Sequence, residues 1–273
     1  MAECTKIKGY DHTINFWIGC TQFSEGCDHC YAKAMNMRYK WILDFSEITR
    51  AKGAWKIPYK WQKQAASTGK VHLVFGNSLS EIWHPQADKW RSEVWKIVKN
   101  TPNLIWRFQT KRPELIADRL PEDWGNGYPN VWLAVTVEMK KYLHRLDTLC
   151  KVPAVAHLLN AEPLLEDLTP QPADHIKGLD YVWVGGENGP QCRAFDMQWA
   201  RNIRDLCHQH SIPFTFGGSG GVHQRNARID GVKYASQPQH LKIYRRMMQP
   251  SSKTICTLGE QIQLAETEAR LPQ

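Results

Sequence analysis

The sequence predicts an α/β protein: a partial or complete (β/α) barrel of TIM type, with parallel strands opening at one mouth. Three observations point there. Seven short segments rich in β-branched and aromatic residues recur along the chain, separated by stretches with helical spacing. Such alternation favours parallel pairing through right-handed crossovers. The clearest strand segments are largely apolar on both faces, as strands sandwiched in a buried parallel sheet must be. Polar and glycine residues gather just after the strands, where the βα loops of such a barrel converge. At 273 residues the chain suffices for one substantial core, and a single domain over 1–249 with an extension over 250–273 is expected.

Taken in order, Thr13 to Ile18 is the first predicted strand and ends at Gly19-Cys20. Asp28 to Lys40 follows as a helix, with Ala32, Met35 and Tyr39 at spacings of three and four. Residues 41–69 are less regular; Gly53, Pro58 and the turn Ser67-Thr68-Gly69 mark a connection with one short amphipathic helix. Val71 to Phe75 is a strand closed by Gly76-Asn77-Ser78, and Pro85 to Lys99 a helix with Trp90, Val94, Trp95 and Val98 on one side. Strand Leu104 to Phe108 leads into Gln109-Thr110-Lys111, and Pro113 suits the first turn of a short helix. Val131 to Val137 is a strand, Glu138 to Leu149 a helix, Ala154 to Leu159 a strand, and Tyr181 to Val184 a strand entering Gly185-Gly186-Glu187. Asp196 is the expected N-cap of a helix reaching about His210, and Pro213 to Phe216 is the last strand before the glycines of 217–221. The tail from Pro250 to Gln273 reads as an appended segment, helical or mobile.

Composition narrows the class. No run of eighteen apolar residues occurs and the N-terminus lacks the apolar centre of a signal peptide, so a soluble cytoplasmic protein without membrane contact is expected. In that setting the eight cysteines point to reduced thiols and metal ligation over disulfides. A net charge of +8 and twelve tryptophans suit an anionic partner such as nucleic acid, through phosphate attraction and base stacking. They equally suit a solubilising surface over a tryptophan-filled core.

The most informative stretch is Asn15 to Tyr31, NFWIGCTQFSEGCDHCY, which sets Cys20, Cys27 and Cys30 in a C-x6-C-x2-C array. Thiolates are soft, strongly donating ligands; the x2 pair reaches one centre from a single turn, and the longer gap wraps around it. A structural zinc wants four protein ligands. Three local cysteines therefore leave two readings: zinc completed by Cys4, His12 or His29, or a [4Fe-4S] cluster with one iron open to a small molecule. Lys111, Arg112, Arg193, Arg201 and Arg225 are cations a phosphate-bearing substrate would use, or ordinary solvated charge; His84 before Pro85 reads as a loop residue.

The cysteine array with Trp17-Ile18-Gly19 before it and Tyr31-Ala32 after it resembles the three-cysteine motif of a radical-SAM-like family of phages and bacteria. Further segments match the pattern: Asn77-Ser78 with His84-Pro85, Thr110 to Pro113, Val135 to Glu138, Ala161 to Leu165, and Val184 to Glu187 with Gly189-Pro190. The first cysteine gap is three residues longer than the usual C-x3-C-x2-C, which leaves the ligand count intact. The resemblance implies a [4Fe-4S] cluster on Cys20, Cys27 and Cys30, with S-adenosylmethionine chelated at the open iron and cleaved to a 5′-deoxyadenosyl radical. It implies an electron donor such as flavodoxin or ferredoxin, and host cytoplasm if the chain is phage-encoded. His29 takes the place where an aromatic usually touches adenine; Asn77, Ser78, Thr136, Glu138, Asn160, Glu162, Gly185, Gly186 and Glu187 become candidates for cofactor contacts, and Lys111 and Arg112 for substrate. Together with the charge it suggests hydrogen abstraction from a nucleic-acid or nucleotide-derived substrate, DNA above all, as in base hypermodification, rearrangement or lesion repair. The alternatives are a zinc-stabilised nucleic-acid-binding protein without catalysis, and a radical SAM enzyme acting on a peptide or small molecule.

Overall fold

The computed structural model describes residues 5, 7–169, 173–189, 191–221 and 227–248. Cys4, Pro190, Arg225, Cys256 and the expected extension over 250–273 lie outside them. In chain order the elements are β1 (His12–Ile14), β2 (Trp17–Ile18), α1 (Tyr31–Tyr39), β3 (Thr49–Arg50), α2 (Ile57–Ser67), β4 (His72–Gly76), α3 (Asp88–Lys99), β5 (Leu104–Thr110), β6 (Val131–Thr136), α4 (His144–Cys150), β7 (His157–Ala161), α5 (Ala173–Ile176), β8 (Tyr181–Gly185), α6 (Met197–Gln209), β9 (Phe214–Gly218) and α7 (Gln239–Met247).

Seven strands form one sheet in the order β1-β4-β5-β6-β7-β8-β9, every neighbouring pair parallel. β1 and β9 are its edges, so the barrel is partial. These are the seven strands read from the sequence, shifted by up to three residues. The first expected strand divides: β1 joins the sheet, while β2 leaves it and pairs antiparallel with β3. The helix expected from Asp28 starts at Tyr31, because a 3-10 turn over Glu25–Cys27 and a further turn come first. Asp196 caps α6 as expected, accepting from Gln198 N at 2.8 Å.

Alternation along the strands sends successive side chains to opposite faces of the sheet. On the outer face Trp106, Phe108, Leu133, Val135, Leu159, Val182 and Phe216 pack against Trp61 of α2, Val94 and Val98 of α3, Leu146 of α4 and Ile203 of α6. The inner face changes character along the strands. Near their N-terminal ends Leu73, Ile105, Trp132, Leu158 and Tyr181 form an apolar floor covered by Leu241 and Tyr244 of α7. Toward their C-terminal ends the same face carries Arg107, Gln109, Thr136, Asn160 and Gly185. The floor closes one end of this face and leaves the other end polar.

α7 was not expected as a helix, and its anchor is polar. Trp132 Nε1 donates to His240 Nδ1 at 2.9 Å, and the Tyr244 hydroxyl donates to Pro102 O at 2.6 Å. Burial pushes the His240 pKa down from 6.5 to about 4. Protonation at Nδ1 would also end the bond from Trp132. Because folding lowers this pKa, the unfolded chain binds more protons between those two values; the contribution is complete above pH 6.5 and is lost as pH falls toward 4. Native stability should therefore drop by roughly 3 kcal/mol through this residue across that window. Urea midpoints taken at pH 7 and at low pH should converge more closely in His240→Gln, whose amide oxygen still accepts from Trp132.

Candidate active site

The cysteine loop bridges β2 and α1 over the C-terminal end of the sheet. It begins at Gly19, where φ is 114° and a Cβ would lie 2.3 Å from Glu47 O, so only glycine lets the loop pass. Cys20 follows, its N–H donating to Phe45 O at 2.8 Å. Cys27 closes the 3-10 turn and Cys30 is the residue preceding α1. All three thiols are free and half-buried. Burial, the neighbouring Glu81 carboxyl and the other two thiols push the Cys20 thiol up to about 12, against the pull of Arg112. A thiol so placed ionises when a positive centre binds it.

The loop is gripped from four strand ends. After β4, Ser78 O accepts from the Tyr31 hydroxyl. After β5, Arg112 Nη2 donates to Thr21 O at 2.9 Å and Thr21 Oγ1 at 2.8 Å, and its guanidinium lies 4.6 Å over the Phe23 ring. After β6, Glu138 is fully buried; it accepts from Ser24 Oγ on one oxygen and pairs with Arg145 Nη1 at 2.9 Å on the other. Beyond it, Lys141 and Tyr142 both donate to Glu25. After β8, Glu187 accepts from Arg193 at 2.5 and 2.9 Å and lies 3.0 Å from His29 Nδ1, while Arg193 Nη2 also donates to Glu25 O at 2.8 Å. Burial works against charge on Glu187, but the hydrogen bonds from Arg193 and His29 override it and hold its pKa down at about 2.

These contacts assign work to residues singled out in the sequence. Glu138, Glu187 and Arg112 have their polar atoms engaged in holding the loop. Asn77 adopts φ 58° and shapes the turn after β4, accepting from Phe16 N at 3.3 Å and donating to Ser80 Oγ at 2.9 Å. Ser78 Oγ accepts from Asn15 at 3.2 Å. A Cβ on Gly186 would lie 2.1 Å from Ser219 O and one on Gly185 2.8 Å from the Glu162 carboxyl, so the chain itself fills the space their missing side chains leave. Thr136, Asn160 and Glu162 turn toward the inner face. Thr136 Oγ1 accepts from Gln109 at 3.0 Å, and Asn160 Oδ1 from Arg107 at 2.8 Å. Glu162 accepts from Trp183 Nε1 at 2.5 Å and from Asn188 at 3.3 Å, with burial raising its pKa. Lys111 sits half-buried beside Arg112. His84 caps the 3-10 turn before α3, accepting from Gln86 N at 3.2 Å. Arg201 pairs with Asp230 at 2.8 Å, outside the mouth loops.

Sequence reasoning missed four participants. Glu81 is buried and accepts from Thr110 Oγ1 at 2.8 Å and from Trp83 N at 2.9 Å. Arg107, Arg145 and Ser24 were also passed over. An arginine inside the strand LIWRF was the available signal; nothing local marks the other three.

Among the described residues no three His, Cys, Asp or Glu side chains gather as a ligand set for a single metal ion. In donor chemistry the three thiols fit a thiolate-held cluster: they share one loop and are free of disulfides. An open all-parallel β/α half-barrel with a reduced three-cysteine loop clasped over its mouth is the class of protein defined here. The chain belongs to the family described as protein of unknown function, DUF5131, which it matches over residues 4–255.

Solved structures of spore photoproduct lyase are similar to it. The lyase complexed with dinucleoside spore photoproduct is 13% identical with a TM-score of 0.48, over 74% of this chain and 62% of that one. A cysteine-to-serine variant is 13% identical with a TM-score of 0.45, over 76% of this chain and 64% of that one. The chain thus spans less than two thirds of their length. No curated protein matches it. No helix among the described residues is long and apolar enough to cross a membrane.

Glu138→Ala leaves Arg145 buried without its partner and should cost about 3–5 kcal/mol. It also removes the Ser24 anchor. Denaturant titration should show the loss, and Cys27 should react faster with a thiol reagent under native conditions; an unchanged labelling rate would mean that the loop is held elsewhere.

Proposed function

We propose that this chain is a radical S-adenosylmethionine enzyme acting on nucleic acid. The observation that carries the reading is the placing of three reduced thiols on one loop clasped over the polar end of an open parallel barrel. Cys20, Cys27 and Cys30 would hold a [4Fe-4S] cluster. When bound, that cluster supplies one electron and an open iron to S-adenosylmethionine, whose cleavage provides a 5′-deoxyadenosyl radical for hydrogen abstraction.

The chain's own residues hold and shield. Arg112, Glu138 and Glu187 fix the loop so that its thiols keep their places. His29, Thr136, Asn160 and the backbone at Gly185-Gly186 are the proposed cofactor contacts, with Lys111 left to meet substrate phosphate. Ile105, Trp132 and Leu158 exclude water from below. The protein is expected to work in the cytoplasm with a small reductant such as flavodoxin or ferredoxin. Rearrangement or hypermodification of a DNA base is the reaction class that this assignment favours.

The face beside the loop supports nucleic acid as substrate. α1 and the residues after it expose Met37, Tyr39, Trp41 and Leu43, and bury only Ala32 and Asn36 within the helix. The Tyr39 and Trp41 rings stack at 5.3 Å and 18°. From Tyr31 to Leu43 the chain carries Lys33, Arg38 and Lys40 and no carboxylate. Stacked exposed rings beside these cations suit single-stranded bases and their phosphates.

Anaerobic purification with iron and sulfide analysis, alongside Cys27→Ala, tests the cofactor. About four irons per chain in the native protein, a labile or absent cluster in the variant, and 5′-deoxyadenosine on dithionite reduction with S-adenosylmethionine are expected. A colourless protein with stoichiometric zinc that resists iron reconstitution would sink the radical mechanism. Independently, Trp41→Ala should weaken binding of a short single-stranded oligodeoxynucleotide by about 1–3 kcal/mol, measured by fluorescence anisotropy at fixed salt. Unchanged affinity would remove α1 from the substrate path.

A further inference from the structure

Three arginines are buried among the described residues, and two have carboxylate partners. Arg145 pairs with Glu138 at 2.9 Å, and Arg91 with Asp88 at 2.8 Å. Arg107 is different. It sits on β5, 3% exposed, and its guanidinium meets only neutral acceptors: the Tyr10 hydroxyl, Gln109 Oε1 at 3.1 Å and Asn160 Oδ1 at 2.8 Å. Its Nε has no hydrogen-bond partner. Glu162 is near enough to feel the charge but bonds Trp183 and Asn188 instead.

A guanidinium stays charged at any pH a folded protein meets, so it cannot escape desolvation by losing its proton. A buried ion without a partner costs several kcal/mol. That cost is borne at the boundary between the apolar floor and the polar end of the inner face, with Ile105 one step below and Gln109 one step above on the same strand. The surroundings are aromatic: Tyr10 stacks on Phe75 at 5.1 Å, and the Trp183 ring lies 3.5 Å from the Cβ position of Gly9.

We propose that Arg107 is an anion receptor, binding the carboxylate or phosphate of a ligand seated on the inner face. The unused Nε and the neighbouring Nη2 offer the two-pronged fork that planar anions accept, with the Gln109 amide giving way. The assignment rests on the inner face being the ligand site of the function proposed above. It leaves two sources for the same chemistry, the carboxylate of S-adenosylmethionine and a phosphate of the nucleotide substrate.

The full chain and Arg107→Met are compared by calorimetry with three probes: inorganic phosphate, S-adenosylmethionine and a dinucleoside monophosphate. Controls that lack the negative group are the methyl ester of S-adenosylmethionine and a methylphosphonate dinucleoside. The variant should bind at least one of the three probes tenfold or more weakly, while the matching control without the negative group, for the two probes that have one, binds both proteins alike. Which probe responds identifies the source. The ligand-free variant should melt no lower than the native chain, because the charge removed had no counter-ion. Equal behaviour of the two proteins toward every probe, including no binding by either, overturns the receptor, as does a variant that melts well below the native chain. The radical reading fails separately, on iron analysis. A chain without a cluster whose variant still loses phosphate keeps the receptor and loses that reading.

Discussion

Everything at the mouth depends on the clasp between the strand ends and the cysteine loop. A loop carrying three thiols and two glycines between Cys20 and Cys30 or just before them has little packing of its own, and an irregular segment is held by its hydrogen bonds or not at all. Here the bonds come from charged side chains set at the ends of β5, β6 and β8. The buried Glu138–Arg145 pair is the stiffest of them, because both side chains are almost wholly out of water and each is the other's charge partner. Arg145 is further enclosed by Tyr142, whose ring its guanidinium overlies at 3.8 Å. The opposite side of the loop is held by Glu187 and Arg193, so the thiols are steadied from both flanks of the sheet.

The second constraint is the change of character along the inner face. Strand periodicity makes one face of β5 read Ile105, Arg107, Gln109 and one face of β6 read Trp132, Ala134, Thr136, apolar first and polar after. Parallel pairing sets Thr136 beside Asn160, while Arg107 lies across from Trp132, so β5 turns polar one step earlier than β6. The result is a floor and a chamber on one sheet surface. α7 completes the floor through Trp132 and His240, and the open order of the strands leaves edges at β1 and β9.

How much was legible follows from range. All seven sheet strands could be read locally, because β-branched and aromatic runs ending in glycine or polar residues carry their own signal. The cysteine spacing, the Asp196 cap and the short helix between residues 41 and 69 were legible for the same reason. α7 was missed: its sequence QHLKIYRRM carries a strongly polar face, and its apolar side acquires meaning only against the sheet floor. β2 and β3 were missed as a pair because two-residue strands exist only through each other. On α1 the spacing of Ala32, Met35 and Tyr39 marked a helix, and in the fold Met35 and Tyr39 stand exposed; helical spacing marks a stripe without saying what lies opposite it.

The sequence by itself determined the parallel α/β architecture, the address of the polar motifs at strand ends and the three-thiol loop, since each is encoded within a window of a few residues. Tertiary structure alone decided what those motifs touch. Glu138, Glu187 and Arg112, candidates for ligand contacts in the chain, also hold the cysteine loop in the fold, while Arg107, inconspicuous inside a strand, stands buried with neutral partners. A charge acquires its role from the partners brought within a few ångströms, and Glu187 meets His29 from 158 residues away along the chain.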